Sequence, residues 1–300
     1  MSNKSQIFGA PRHPPAWLSP LPLFFVLLWS TGFIVAKFGL PYAPPLTFLL
    51  LRCSGVLLVL LPCVLIWKAP WPEHPGHVAV AGLLLQAGYL AGVWCAIKLG
   101  MPAGLSALIV GMQPILTGAA APLIGERVRA RQWLGLALGL AGVALVVVAK
   151  IHVAALSTEA IAYSVMALLS ITAGTLYQKR YCPRFDLRTG TVVQFSATIL
   201  ALLPFAIWRE GFDLRLATVE STPQFIGALL WSIFALSIGA IFLLFKLIRR
   251  SDATEVTSLL YLTPPTTAVM AWLIFGEAFS LLGVAGMVVA VLGVACVVKK

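Results

Sequence analysis

Apolar runs of about 20 residues recur along the whole chain, and a helix of that length crosses a hydrocarbon core of about 30 Å. Ten such runs are read, at 17–37, 46–67, 77–97, 102–123, 132–149, 157–178, 189–208, 224–246, 255–275 and 280–298. They leave little chain for a soluble domain. Of the 300 residues 60% are hydrophobic and only 10% charged, whereas a soluble domain carries about a quarter charged residues. Backbone polar groups cannot go unpaired in lipid, so the runs are read as helices. A membrane barrel would show short alternating segments, and these runs do not alternate. The expected fold class is an all-α integral membrane protein with ten transmembrane helices.

The chain also repeats itself. Gln113-Pro114, Gly125-Glu126, Gly135, Gly142 and Val147-Val148 recur in order as Thr263-Pro264, Gly276-Glu277, Gly286, Gly293 and Val297-Val298. Earlier in each half, Gly32, Lys37, Ser54 and Leu61-Pro62 correspond to Gly174, Lys179, Ser196 and Leu203-Pro204. Duplicated halves are a hallmark of secondary transporters. Five is an odd number of spans, so the second half starts on the opposite side of the membrane from the first. The halves are therefore expected to be inverted five-helix repeats. Residues 1–16 read as a cytoplasmic N-terminal tail with an uncleaved first span after it, 17–150 as the first repeat and 151–300 as the second.

The net charge of +11 is distributed as in a membrane protein, not as a nucleic-acid footprint. Of the 21 Lys and Arg, only Lys37, Lys98, Lys150, Arg209 and Arg215 fall on one side and Arg52 within a span; the other 15 fall on the opposite side. The positive-inside rule then puts both termini in the cytoplasm. All ten acidic residues lie in loops or near span ends. A membrane-embedded carboxylate is the usual proton or cation relay. Its absence disfavours pumps for cationic drugs and proton antiporters built on a central Asp or Glu, and favours a facilitator or coupling by some other means. The five Cys and four His show no metal or disulfide spacing. No Gly-rich phosphate loop and no nucleophile–base pair is found. Neither a cofactor nor a metal is expected, and the chain is not read as an enzyme.

Polar and aromatic residues within the spans outline a candidate site. Pro114 and Pro264 occupy the same repeat position inside apolar spans, preceded by Gln113 and Thr263. A mid-helix proline leaves the carbonyl four residues back unpaired, here Val110 and Leu260. Matched interruptions in two halves point to a transport site; both prolines are read as hinges or cavity-shaping residues. At helical spacing Gly82, Gln86, Tyr89 and Val93 share a face of span 3, and Ser106, Gln113 and Thr117 one of span 4. Tyr163, Ala167, Ser170, Gly174 and Tyr177 do so in span 6, and Ser258, Tyr261 and Pro265 in span 9. Trp29 and Ser30 in span 1 and Trp231 in span 8 complete the set. The expected solute-binding residues are Trp29, Ser30, Gln86, Tyr89, Gln113, Tyr163, Ser170, Tyr177, Trp231, Tyr261 and Thr263. The competing reading is interhelical glue, with Ser, Thr and Gln bonding neighbouring helices. Arg52, about six residues and roughly 9 Å into span 2, is either a counter-charge for a substrate carboxylate or a snorkelling anchor; the anchor is preferred. Gly135, Gly139 and Gly142 in span 5 and Gly283, Gly286 and Gly293 in span 10 read as packing faces between the halves or at a dimer contact.

Three stretches carry a family resemblance: Leu28-Trp29-Ser30-Thr31-Gly32 through Pro44-Pro45 to Arg52; Gln113-Pro114 through Gly125-Glu126 and Trp133-Leu134-Gly135 to Gly142; and Thr263-Pro264, Gly276-Glu277 and Gly293. They resemble the ten-helix EamA branch of the drug/metabolite transporter superfamily. Ser30-Thr31-Gly32 departs from the commonest form of the first stretch, where Gly-Ser is frequent. The resemblance covers nearly the whole chain. It implies two EamA repeats around a central cavity, shaped by spans 1–4 and 6–9 and supported by spans 5 and 10. It also implies export or exchange of small metabolites across a bacterial inner membrane. The pattern is similar to that of amino-acid exporters, including those for aromatic amino acids. The alternatives are an exporter of lipophilic drugs or of another metabolite such as a nucleobase or vitamin, and, less favoured, a membrane-embedded enzyme or lipid-handling protein. The expected partners are a small-molecule solute and membrane lipid, with no nucleic acid; a monomer is expected, and a dimer is left open.

Overall fold

The computed structural model describes residues 20–120, 156–182, 184–240, 263–277 and 280–298, with parts of 130–145 and residue 243. Ten helices and no strand are found among the described residues. The first half holds α1 (Pro20–Gly39), α2 (Pro45–Ile66), α3 (Pro75–Lys98), α4 (Ala103–Val110, resuming as Gln113–Ala120) and α5 (Trp133–Gly142). The second holds α6 (Thr158–Tyr181), α7 (Leu187–Glu210), α8 (Pro223–Gly239), α9 (Thr263–Phe275) and α10 (Leu281–Val298). Five of them, α1, α2, α3, α6 and α7, are long and apolar enough on their own to cross a membrane. The protein is a multi-pass membrane protein built from two five-helix repeats.

Local chemistry explains the helix ends. Pro45, Pro75 and Pro223 open α2, α3 and α8, where a missing N–H is no loss. Ser157, Asp186 and Thr222 cap α6, α7 and α8 by accepting from Ala160, Arg188 and Phe225 N–H. The Arg188 side chain also bonds Asp186, which holds that carboxyl below its usual range. Gly211, at φ 65°, ends α7. Pro62 and Pro204, paired by the repeat, both sit inside their helices.

The hydrogen bonds at the helix ends show the inversion. Lys37 at the end of α1 donates to Glu277 beyond the end of α9 at 2.7 Å, and Glu277 accepts from Ala103 N–H at the start of α4 at 3.2 Å. Glu210 at the end of α7 accepts from Leu46 and Thr47 N–H at the start of α2, at 2.9 and 2.8 Å. Arg209 of α7 donates to Tyr163 near the start of α6. So α1 and α7 finish where α2 and α6 begin. Each helix from α1 to α4 runs opposite to its repeat mate from α6 to α9. At the other end, His77 near the start of α3 meets Tyr177 near the end of α6 at 2.7 Å. We refer to these as the Lys37 end and the His77 end.

Packing follows the same two-fold relation. α2 lies on its mate α7, and α4 on α9; α3 lies on α6, and correspondingly α1 on α8. Beneath the Lys37 end, Phe48 of α2 packs on Trp94 of α3 at 4.3 Å and edge-on to Phe225 of α8 at 5.6 Å. α5 and α10 meet through glycines. A Cβ on Gly142 would stand 2.4 Å from Ala290 N, and one on Gly293 2.5 Å from Gly139 N. The glycine faces thus join the two halves within one chain.

Glu210 is the only side chain that caps α2 among the described residues, since the N-cap Pro44 has no donor or acceptor side chain. It also accepts from the Thr47 hydroxyl at 2.9 Å. Thr47 is fully buried, so removing the carboxylate strands its N–H and hydroxyl. Glu210→Ala is expected to cost about 2 kcal/mol. Thermal unfolding in detergent should show a Tm lower by roughly 4–8 °C, with Glu210→Gln intermediate. An unchanged Tm would remove Glu210 as the α2 cap.

Candidate functional site

Between the halves lies a cavity of about 200 Å³. Three helices of each half supply its walls: α1, α2 and α3, and their mates α6, α7 and α8. Aromatic faces dominate, from Trp29, Phe33, Tyr89, Trp94 and Phe195. Trp29 is held by Phe25 at a centroid distance of 5.6 Å. Four polar side chains interrupt the apolar wall: Gln86 and Tyr89 of α3, Arg52 of α2 and Ser237 of α8. Neither the Gln86 amide nor the Tyr89 hydroxyl has a hydrogen-bond partner among the described residues. Polar groups in an apolar wall normally find a partner within the protein, so these two are available to a solute.

Two π-turns position these groups. Residues Leu83–Gly88 of α3 and Trp231–Gly239 of α8 are wound as π-helix, at equivalent positions of the repeat. A π-turn carries one residue more than the α-ladder needs and turns the helix face that follows it. In α3 it divides the face read from helical spacing. Gly82, before the turn, packs on the backbone of Gln194 in α7, while Gln86, Tyr89 and Val93 line the cavity. In α8 it lets the Ser237 hydroxyl donate back to the Ser232 carbonyl at 2.8 Å. Ser237 also accepts the Arg52 Nε–H at 2.9 Å.

A smaller chamber of about 40 Å³ shares Trp29, Phe33, Tyr89 and Ile171 with the main cavity and extends to α4 and α9. Gln113 and Thr263 line it. The Gln113 amide nitrogen donates to Thr175 at 2.8 Å, and its side-chain oxygen has no partner among the described residues. The Thr263 hydroxyl is buried without a partner among the described residues. Here α4 breaks at Gly111 and Met112, just ahead of Pro114. Val110, whose carbonyl can receive no bond from Pro114, lines the chamber.

Trp29, Gln86, Tyr89, Gln113 and Thr263 are thus brought together around two adjacent cavities that share a wall. The others lie elsewhere. Ser30 is fully buried at the α1–α9 contact, where its carbonyl accepts from Thr267 at 3.4 Å. Ser170 packs where a Cβ on Gly88 would stand, between α6 and α3. Tyr163 is tied to Arg209 at the Lys37 end. Tyr177 packs at a tilt against His77 and Tyr181 at the His77 end. Trp231 donates to Thr31 at 2.9 Å on the outer side of the α1–α8 seam. Pro264 abuts Gly111 across the α4–α9 contact. Tyr261 lies outside the described residues. Helical spacing also missed Ser237, although Ser232 and Ser237, two hydroxyls in an otherwise apolar span, were the signal for it. No group of three metal-ligating side chains occurs among the described residues.

Comparison with known proteins agrees with this architecture. The chain matches the model of the EamA-like transporter family twice, over residues 20–148 and 158–299. It is 29% identical to a probable amino-acid metabolite efflux pump of Salmonella typhimurium over 281 residues, covering 91% of this chain and 92% of that one. It is likewise 29% identical to an uncharacterized transporter of Bacillus subtilis, YvbV, covering 92% of this chain and 90% of that one. A probable amino-acid metabolite efflux pump of Escherichia coli K12 is 26% identical, over 83% of this chain and 74% of its own. One solved structure superposes with a TM-score of 0.62 at 19% identity, covering 92% of this chain and 95% of that one, and shares the fold.

Proposed function

Since the chain belongs to the EamA-like transporter family, we propose that it exports or exchanges amino acids with aromatic or apolar side chains. The setting is a bacterial inner membrane, with both termini in the cytoplasm. The observation that carries this reading is the cavity between the two halves. Its aromatic wall offers contact to an apolar side chain, while the unpartnered Gln86 amide and Tyr89 hydroxyl offer bonds to the polar end of the solute. Apolar walls with a few polar anchors are the usual small-molecule site. No Asp or Glu lines the cavity among the described residues, which disfavours organic cations. Two relatives named as probable amino-acid metabolite efflux pumps support the same substrate class.

The positive-inside rule puts the Lys37 end outside. There Lys37 to Glu277, Glu210 to the start of α2, and Lys98 to the Leu40 carbonyl at 2.7 Å tie the helices together. On this reading the outer side is shut, and alternating access rocks the halves until these ties part.

Counterflow tests the assignment. Proteoliposomes holding only this protein are loaded with unlabelled phenylalanine and given a trace of labelled phenylalanine, with no ion gradient. Uptake above that of empty vesicles is expected, with leucine and tryptophan competing. No uptake of any amino acid by protein shown to be folded and inserted overturns the reading. Competition by lipophilic drugs or nucleobases alone would transfer the site to those solutes.

A further inference from the structure

We propose that Arg52 is the anion-binding residue of the cavity, its terminal guanidinium nitrogens holding the carboxylate of the solute. This rests on the cavity being the transport site, and it adds a substrate class: carboxylates, free or zwitterionic.

Arg52 lies on α2, seven residues beyond Pro45, and lines the main cavity. It is only 8% exposed. A snorkelling arginine lays its stem along the protein and puts its charge at the lipid headgroups; a buried guanidinium on a cavity wall does neither. One donor, Nε–H, is taken by Ser237. Ser237 is itself fixed by its bond to Ser232 within the α8 π-turn. That anchors one edge of the guanidinium and sets its plane. The four N–H groups of the two terminal nitrogens have no partner among the described residues.

No carboxylate among the described residues pairs with this charge. Lys37 pairs with Glu277 and Arg188 with Asp186, both at helix ends. Arg52 is in neither. A buried, unpaired cation is expensive to keep, and charged side chains inside a membrane protein mark solute and ion pathways. The planar fork of a guanidinium matches a carboxylate through two parallel bonds. An anion drawn to Arg52 lies beside Tyr89 and Gln86, whose oxygens can accept from an α-ammonium group. Its apolar remainder meets Trp29, Phe33 and Trp94. The same positive charge repels cationic solutes.

The test separates this assignment from the amino-acid reading by measuring binding as well as transport. Calorimetric titration of the purified protein uses phenylalanine and phenylacetate against their uncharged or cationic counterparts, phenylacetamide and phenylalaninamide. The acids are expected to bind about tenfold to a hundredfold more tightly than the amides, as a charge-assisted bond should give. Arg52→Gln should abolish that preference, and Arg52→Lys should keep part of it. Wild-type protein that binds acid and amide equally, or binds no carboxylate, overturns the proposal, and so does a folded Arg52→Gln variant that still prefers acids. The wild-type comparison decides even if Arg52→Gln does not fold. Carboxylate-selective binding without amino-acid counterflow would sink the amino-acid reading and leave Arg52 as the anion site. Equal counterflow of phenylalanine and phenylalaninamide would do the reverse.

Discussion

Leucine in place of Gly293 is expected to leave little folded protein. A Cβ there would stand 2.5 Å from Gly139 N and 2.7 Å from Gly135 O, and at the reciprocal position a Cβ on Gly142 would stand 2.4 Å from Ala290 N and 2.6 Å from Gly286 O. These are backbone atoms, so no rotamer change relieves the clash, and α5 and α10 must separate. Small residues are what let membrane helices approach this closely, and dispersion across the seam falls steeply with distance. Overpacking a close contact costs about 1–3 kcal/mol, and here a whole side chain enters. The Tm in detergent should fall by roughly 6–12 °C, or the protein should lose its monodisperse elution peak. Gly227→Leu is the control, because nothing lies within 4 Å of a Cβ at that position of α8. If Gly293→Leu behaves like Gly227→Leu, the α5–α10 seam is not packed as described.

Trp29→Ala is expected to give the largest loss of transport in a protein that still folds. Trp29 lines both the main cavity and the smaller chamber. Full burial of a large apolar side chain is worth about 1.5–3 kcal/mol, so losing this face should raise KM for an aromatic solute roughly tenfold to a hundredfold. Trp29→Phe keeps a ring and should recover most of the loss. An unchanged KM in a folded Trp29→Ala variant would take Trp29 out of the solute contact. A fall in Tm matching the loss of transport would mean that it serves α1 packing through Phe25 instead.

The helices were largely readable from the sequence because lipid imposes length and apolarity on each one, and because Pro45, Pro75, Pro223 and Gly211 punctuate them by purely local chemistry. The site was readable only in part. Spacing tells which residues share a face of one helix, not what that face meets. Tyr163 and Tyr177 share a face of α6, yet 14 residues separate them by about 21 Å, and they close opposite ends of the bundle. The Ser170 and Gly174 face of the same helix meets α3 instead of the cavity. Arg52 was legible as an intramembrane charge. Its burial and its bond to Ser237 depend on where α8 lies, and no pattern within α2 carries that.

The paired π-turns make the protein sensitive to counting. Most of a transmembrane helix tolerates exchange of one apolar residue for another, because lipid reads hydropathy and little else. Within 83–88 and 231–239 the number of residues matters more than their kind. Losing one residue in the first turn would restore an unbroken α-helix and rotate what lies on one side of it by about 100° relative to the other. Gly82 and Tyr89 could not then both keep their neighbours. A hydropathy profile would register no change, yet either the α7 contact or the cavity wall would be lost. Among related chains, an alignment gap in either turn therefore marks a rebuilt cavity, whereas a gap in a loop does not.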